Sequence, residues 1–163
     1  EHEAGPATAL ILRRCGRRFG VRLAARCERE LSSYLGRSLR DCTMGEFDVM
    51  VQDLWRGCGL GDISIGWGFG QHGFIAVKLT NSPMQDIGAK GHVSDDMFCG
   101  IIEGFIEHFA SGSLRCIQTG DVRLGSKDGT TFILIGAELQ PRLEELVERK
   151  LSQAEIVARL SGE

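Results

Sequence analysis

The stretch from Ser94 to Ala137 constrains the fold more than any other part of the chain. It opens with SDDMFCGIIEGFIEHFASG, which sets Phe98, Ile101, Ile102, Phe105 and Phe109 at steps of three and four residues. That spacing predicts a helix with one buried face. Ser94 is placed to cap it, Asp95 and Asp96 suit the positive end of the helix dipole, and Gly112 suits the exit. Two β-rich runs follow, LRCIQT and TTFILIGA, joined by the turn-rich GDVRLGSKDG. A long apolar helix followed by a hairpin is a core unit, and the other elements must be arranged around it.

Residues 7–35 predict a long helix, with Leu12, Cys15, Phe19, Leu23, Cys27 and Leu31 on one stripe. Gly16 and Gly20 sit four apart on the same helix. Each costs about 1 kcal/mol relative to Ala in a helix interior. Close approach of another element offsets such a cost. The neighbour is either a helix or sheet of the same chain or a helix of a second subunit. Arginines 13, 14, 17, 18, 22, 26 and 29 fill the remaining faces and read as a solvated surface.

Thr43 with Glu46 forms a capping-box pattern ahead of TMGEFDVMVQDLWRGC. Phe47, Met50, Val51, Leu54 and Cys58 follow helical spacing, Trp55 lies beside them, and Gly57 and Gly59 end the run. DISIGWGF alternates, so a strand would put Ile63, Ile65, Trp67 and Phe69 on one face. A second strand, HGFIAVKLTN, would carry Phe74 and Ala76 on one side and Ile75, Val77 and Leu79 on the other, with GQHG as the hairpin turn. The GxGxG of Gly66, Gly68 and Gly70 precedes no helix and is not a dinucleotide fingerprint. The polar loop 81–93 is the expected flap. The tail reads as helix with Pro141 in its first turn, and Ser152 with Glu155 is a second capping box that would break it in two.

The order α-α-β-β-α-β-β-α with short β connections predicts an α+β fold. We expect an antiparallel sheet of about four strands with helices packed on one face. Residues 1–137 would form the domain and 138–163 its C-terminal helical extension. The start lacks a Met and a signal-peptide pattern and reads as a piece of a longer protein. No run of eighteen apolar residues is present, so no membrane span is expected. Six cysteines without a CxxC pair read as reduced thiols in a cytoplasm. Residues 1–40 carry nine arginines against four acids, a balance of +5, while the whole chain is −3, so the remainder carries −8. That acidic remainder argues against a nucleic-acid partner.

The sequence holds no nucleophile-elbow, phosphate-loop, HExxH or calcium-loop motif. His2, His72, His92 and His108 read as ordinary surface or satisfied histidines. Glu103, Glu107 and His108 could cluster for acid–base work, but their helical spacing fits a solvated face better. No catalytic residue, metal ligand or cofactor is assigned. The aromatic supply is more informative. Trp55, Trp67, Phe69, Phe98, Ile102 and Phe105 come from the second helix, the first hairpin and the central helix, and together would line an apolar ligand pocket. A solid core is the competing use for them.

Two pieces resemble the 4-vinyl reductase domain family of small-molecule-binding domains. One is DLWRGCGLGDISI, similar to that family's helix, GLG turn and first strand. The other is the central stretch, with Cys99 followed by Gly104, then QTGDVRLGSKDGTTF, in which Gln118, Asp121, Gly125 and Phe132 stand at the family's hairpin positions. LRRCGRRFGVRLA suits the family's opening helix. Members that hold zinc use a Cys, a Glu and two further Cys there, and this chain keeps only Cys99. The resemblance therefore implies the fold without the metal. It further implies a cytoplasmic, dimeric, non-enzymatic domain with an apolar pocket, serving as a ligand sensor or as an accessory of a tetrapyrrole reductase.

IIEGFIEHF, GWG and GTTFILIG also resemble the D component of bacterial cellulose synthase, which implies an oligomeric scaffold of a polysaccharide-synthesis machinery. Both resemblances imply a homodimer or higher homo-oligomer, and the glycine pair would place the N-terminal helix in its interface.

Overall fold

The computed structural model describes residues 6–83, 95–121, 126 and 129–162. These form helices α1 (Pro6–Leu35), α2 (Met44–Gly57), α3 (Asp96–Phe109), α4 (Gln140–Glu148) and α5 (Gln153–Ser161). The strands are β1 (Asp62–Gly66), β2 (Phe74–Thr80), β3 (Arg115–Gly120) and β4 (Thr130–Ile135). The fold is α+β with the element order read from the sequence, and its four-stranded antiparallel sheet runs β1-β2-β4-β3. Among the described residues, no helix is long and apolar enough to cross a membrane. The chain divides into two compact units, one of Glu1–Cys42 and Ser94–Cys116, the other of Thr43–Val93 and Ile117–Glu163.

The first unit is built on α1 against α3. Gly16 lies on the backbone of Met97 and Ile101, and Gly20 on that of Ile101 and Phe105. In return Gly100 lies on the backbone of Arg13 and Arg17, and Gly104 on that of Arg17. At all four positions a Cβ would overlap a carbonyl oxygen of the facing helix. Contact positions rise together along both helices, so the two run parallel. The glycine groove of α1 is thus filled by α3, and the observation that pointed to a subunit interface there is accounted for within the chain. This close contact also sets the rotation of α1. Leu12, Cys15 and Phe19, expected on a buried stripe, face outward, with Leu12 42% and Phe19 44% exposed. Of the expected stripe Cys27 is buried, and Ala24, which was not on it, is buried beside it.

α3 is buried from Phe98 to Ile106 on all sides, the mark of a core helix. Its N-cap is Asp95, whose carboxylate accepts from the Phe98 N–H at 3.2 Å. Ser94, expected in that role, lies outside the described residues, as do positions 84–93 of the expected flap and Gly125 of the β3–β4 turn.

In the second unit the Thr43–Glu46 capping box starts α2. The Glu46 N–H donates to Thr43 Oγ1 at 3.3 Å, and the Thr43 N–H to Glu46 Oε2 at 2.8 Å. Phe47, Val51 and Trp55, four apart, form its buried face. β2 pairs with β4 so that Phe74 meets Ile135 and Ala76 meets Ile133 on one side of the sheet. On the other side Ile75 meets Leu134 and Val77 meets Phe132. Leu143, Leu146, Ile156 and Leu160 of α4 and α5 join Phe74, Ile133 and Ile135 in one core. Each such fully buried side chain contributes about 1.5–3 kcal/mol. All six residues of β4 are buried, so both of its faces are covered. The tail breaks at Lys150, which has φ of 56°, and restarts at the Ser152–Glu155 capping box. Gln153 Nε2 then donates to the carbonyls of Val77 and Phe132, tying the start of α5 to β2 and β4.

The first hairpin departs from expectation. β1 stops at Gly66, and Trp67–His72 form a 3-10 segment. Gly66, Gly68 and Gly70 weaken a strand that would otherwise run on. The aromatic side chains between them find separate partners once the alternation is lost.

Candidate functional site

The six residues expected to line a pocket fall into two sets of three, one on each compact unit. Phe98, Ile102 and Phe105 recur at four- and three-residue steps on α3, so they share a face distinct from the one bearing Gly100 and Gly104. All three are buried, and the Phe105 ring lies 5.6 Å from that of Phe109 in a tilted pair.

Trp55, Trp67 and Phe69 belong to the second unit. Trp55 is wholly buried near the end of α2. Trp67 turns toward the start of that helix: its indole N–H donates to Asp48 Oδ1 at 3.1 Å, and its ring meets Phe47 edge-on at 5.7 Å. Phe69 stacks on Phe74 with ring centroids 5.0 Å apart and joins the core beneath α4 and α5. Trp67 and Phe69 therefore do not share a strand face. The glycines that flank them were the sequence signal for this outcome.

The polar counterpart lies in the first unit and was not anticipated. Glu103 is only 5% exposed although it lies on the α3 face expected to be solvated. Its carboxylate accepts from Arg13 Nη2 at 2.6 Å and from the Cys116 N–H at 3.1 Å. Arg17 stands 3.6 Å and Arg115 4.0 Å from it. Arg13 also donates to the Cys116 carbonyl, so one guanidinium joins α1, α3 and the first residues of β3. One turn along each helix, Arg17 pairs with Glu107. Further on, His108 Nε2 lies 2.8 Å from Glu28, which also meets Arg40. The legible signal was a pair of matching ladders: arginines at 13 and 17, glutamates at 103 and 107.

Burial of a carboxylate is tolerable only with such partners. Burial pulls the Arg13 guanidinium down, and its hydrogen bond and charge contact with Glu103 outweigh that, leaving it raised. Burial pushes Glu107 up, but Arg17, the Ser113 hydroxyl and the Leu114 backbone bring it below the usual carboxylate range. Glu28 is held low by its hydrogen bond to His108 and then by Arg40.

Cys99 and Cys116 are both buried beside this network. Burial, then the hydrogen bond with Cys99, pushes the Cys116 thiol far above its ordinary value. A thiol so disposed is a poor nucleophile, because the thiolate is the reactive form. Gln118 and Asp121, which stand at the family's metal-ligand positions, are in the second unit, and Gln118 Nε2 donates to Asp121 Oδ2 at 3.1 Å. The aromatic side chains are thus engaged in apolar packing within each unit, and the charged groups of the first unit in ion pairs that hold its helices together.

No family model and no curated protein matches the chain. Solved structures do. A trafficking protein particle complex subunit 3 from Naegleria fowleri, covalently bound to palmitic acid, superposes with a TM-score of 0.53 at 16% identity, covering 79% of this chain and 80% of that one. A vinyl-4-reductase family protein from Methanocaldococcus jannaschii superposes with a TM-score of 0.50 at 19% identity, covering 76% of this chain and 66% of that one. The chain has the 4-vinyl reductase-like fold that its helix, GLG turn and central stretch resemble, and shares that fold with the trafficking-complex subunit.

Proposed function

We propose that this chain is a non-enzymatic, cytoplasmic binding or sensor domain for an apolar small molecule, and that it works as a homodimer. The observation that carries the reading is the shared fold with a protein crystallised on palmitic acid. The aromatic and aliphatic faces around Phe98, Ile102 and Phe105 and around Trp55, Trp67 and Phe69 supply the matching chemistry.

Native mass spectrometry of freshly purified protein tests this. The expected result is a dimer mass carrying a small apolar molecule, or an empty dimer that takes up added palmitic acid and changes its tryptophan emission. An empty protein that takes up no acyl chain overturns the reading. A second reading, an oligomeric scaffold component, draws support from the fold neighbour being a subunit of a complex. It predicts a larger assembly with no ligand in the same spectrum.

A further inference from the structure

Apart from Arg26, which pairs with Glu30 on the same helix, the arginines of α1 divide into two groups. Arg13 and Arg17 turn inward and pair with Glu103 and Glu107. Arg14, Arg18, Arg22 and Arg29 turn outward, are exposed, and have no ion-pair partner among the described residues. Their spacing puts them on one stripe about 22 Å long, on the side of the helix away from Gly16 and Gly20. No acidic residue occurs between Glu3 and Glu28, so nothing on this part of the helix offsets that charge. Exposed apolar side chains accompany the stripe: Ile11 is 59% exposed within it, and Leu12 and Phe19 are 42% and 44% exposed on its flank.

We propose that the outer face of α1 docks peripherally on an anionic lipid surface. Arginines in a row meet lipid phosphates, and neighbouring Ile11, Leu12 and Phe19 enter the boundary between headgroups and acyl chains. Charge selects this occupant over a second copy of the chain. Pairing this face with itself would set the four outward arginines against four of their own kind. A nucleic acid would meet the arginines and leave the apolar side chains in water. The inference is independent of the ligand reading, since none of the six proposed ligand-contacting residues lies on α1.

Sedimentation of the full chain with vesicles tests it. One set is phosphatidylcholine alone, the other phosphatidylcholine with phosphatidylglycerol. Binding is expected only to the second set and should weaken with added salt. The variant Arg14→Glu/Arg18→Glu/Arg22→Glu changes only exposed positions and should bind at least about tenfold more weakly. Leu12→Ser/Phe19→Ser should also bind more weakly, with its solution mass unchanged. Equal binding to both vesicle sets, or wild-type binding by the arginine variant, overturns the proposal. So does a Leu12→Ser/Phe19→Ser protein of lower solution mass with undiminished vesicle binding, which would assign the face to a second copy. Displacement from the vesicles by duplex DNA would likewise overturn it in favour of nucleic acid.

Discussion

Glu103 on α3 accepts a 2.6 Å hydrogen bond from Arg13, ninety residues earlier on α1. The two side chains are 6% and 12% exposed, so the pair is largely removed from water. Removing one partner of a buried pair leaves an uncompensated charge, whereas the pair itself adds little over apolar packing.

Glu103→Ala should therefore be the most damaging polar substitution in the first unit, at about 3–5 kcal/mol. It strands the Arg13 guanidinium and also orphans the Cys116 N–H. Arg13→Met should cost less, because Glu103 keeps the Cys116 N–H and has Arg17 and Arg115 nearby. Urea midpoints of the two variants check this. Equal midpoints, or a worse Arg13→Met, would show that the network is not centred on the carboxylate.

Glycine substitutions should split by location. Gly104→Ala gains about 1 kcal/mol of helix propensity, but its methyl group would overlap the Arg17 carbonyl oxygen. Overpacking of this kind costs about 1–3 kcal/mol, and Gly104→Leu should cost more still. Gly57→Ala, in α2 with open space around it, should be neutral or slightly stabilising. A thermal melt in which both alanine variants behave alike would contradict the close α1–α3 crossing.

Acid should weaken the first unit in a defined window. Glu28 and Glu107 have folded-state values below the usual ones, the first through His108 and Arg40, the second against burial through Arg17. A depressed carboxylate adds stability that is fully present above its unfolded pKa, about 4.3 for Glu. That stability is lost as pH falls through the folded-state value. The denaturation midpoint should drop on acidification below about pH 4.3. Glu28→Gln and Glu107→Gln should each start lower and fall less steeply. Slopes identical to the wild type would mean that neither carboxylate is held low.

The proposed homodimer makes a simple demand on mass. The chain should sediment above its 17.8 kDa monomer mass at micromolar concentration. A species that stays at monomer mass as concentration rises would remove the dimer while leaving the ligand reading to be judged by its own experiment.

Local features of this protein were legible from sequence because they depend on residues within a few positions of each other. The capping boxes at Thr43–Glu46 and Ser152–Glu155, the apolar face of α3 and the alternation of β2 are all set by neighbours no more than four apart. The α+β order follows from them, but the connection between β1 and β2 does not, because three glycines stop the first strand at Gly66 and a 3-10 segment takes the place of the expected tight turn. Only the tertiary structure decided where α1 turns. Leu12, Cys15 and Phe19 have the right period to be buried, yet four glycines from two helices meet more closely than those side chains could, and these three are left outside. The fate of Glu103 left only a hint along the chain, the matched four-residue spacing of Arg13 and Arg17 with Glu103 and Glu107, since its partners Arg13 and Cys116 lie ninety and thirteen residues away and only the packed helices bring them to its carboxylate.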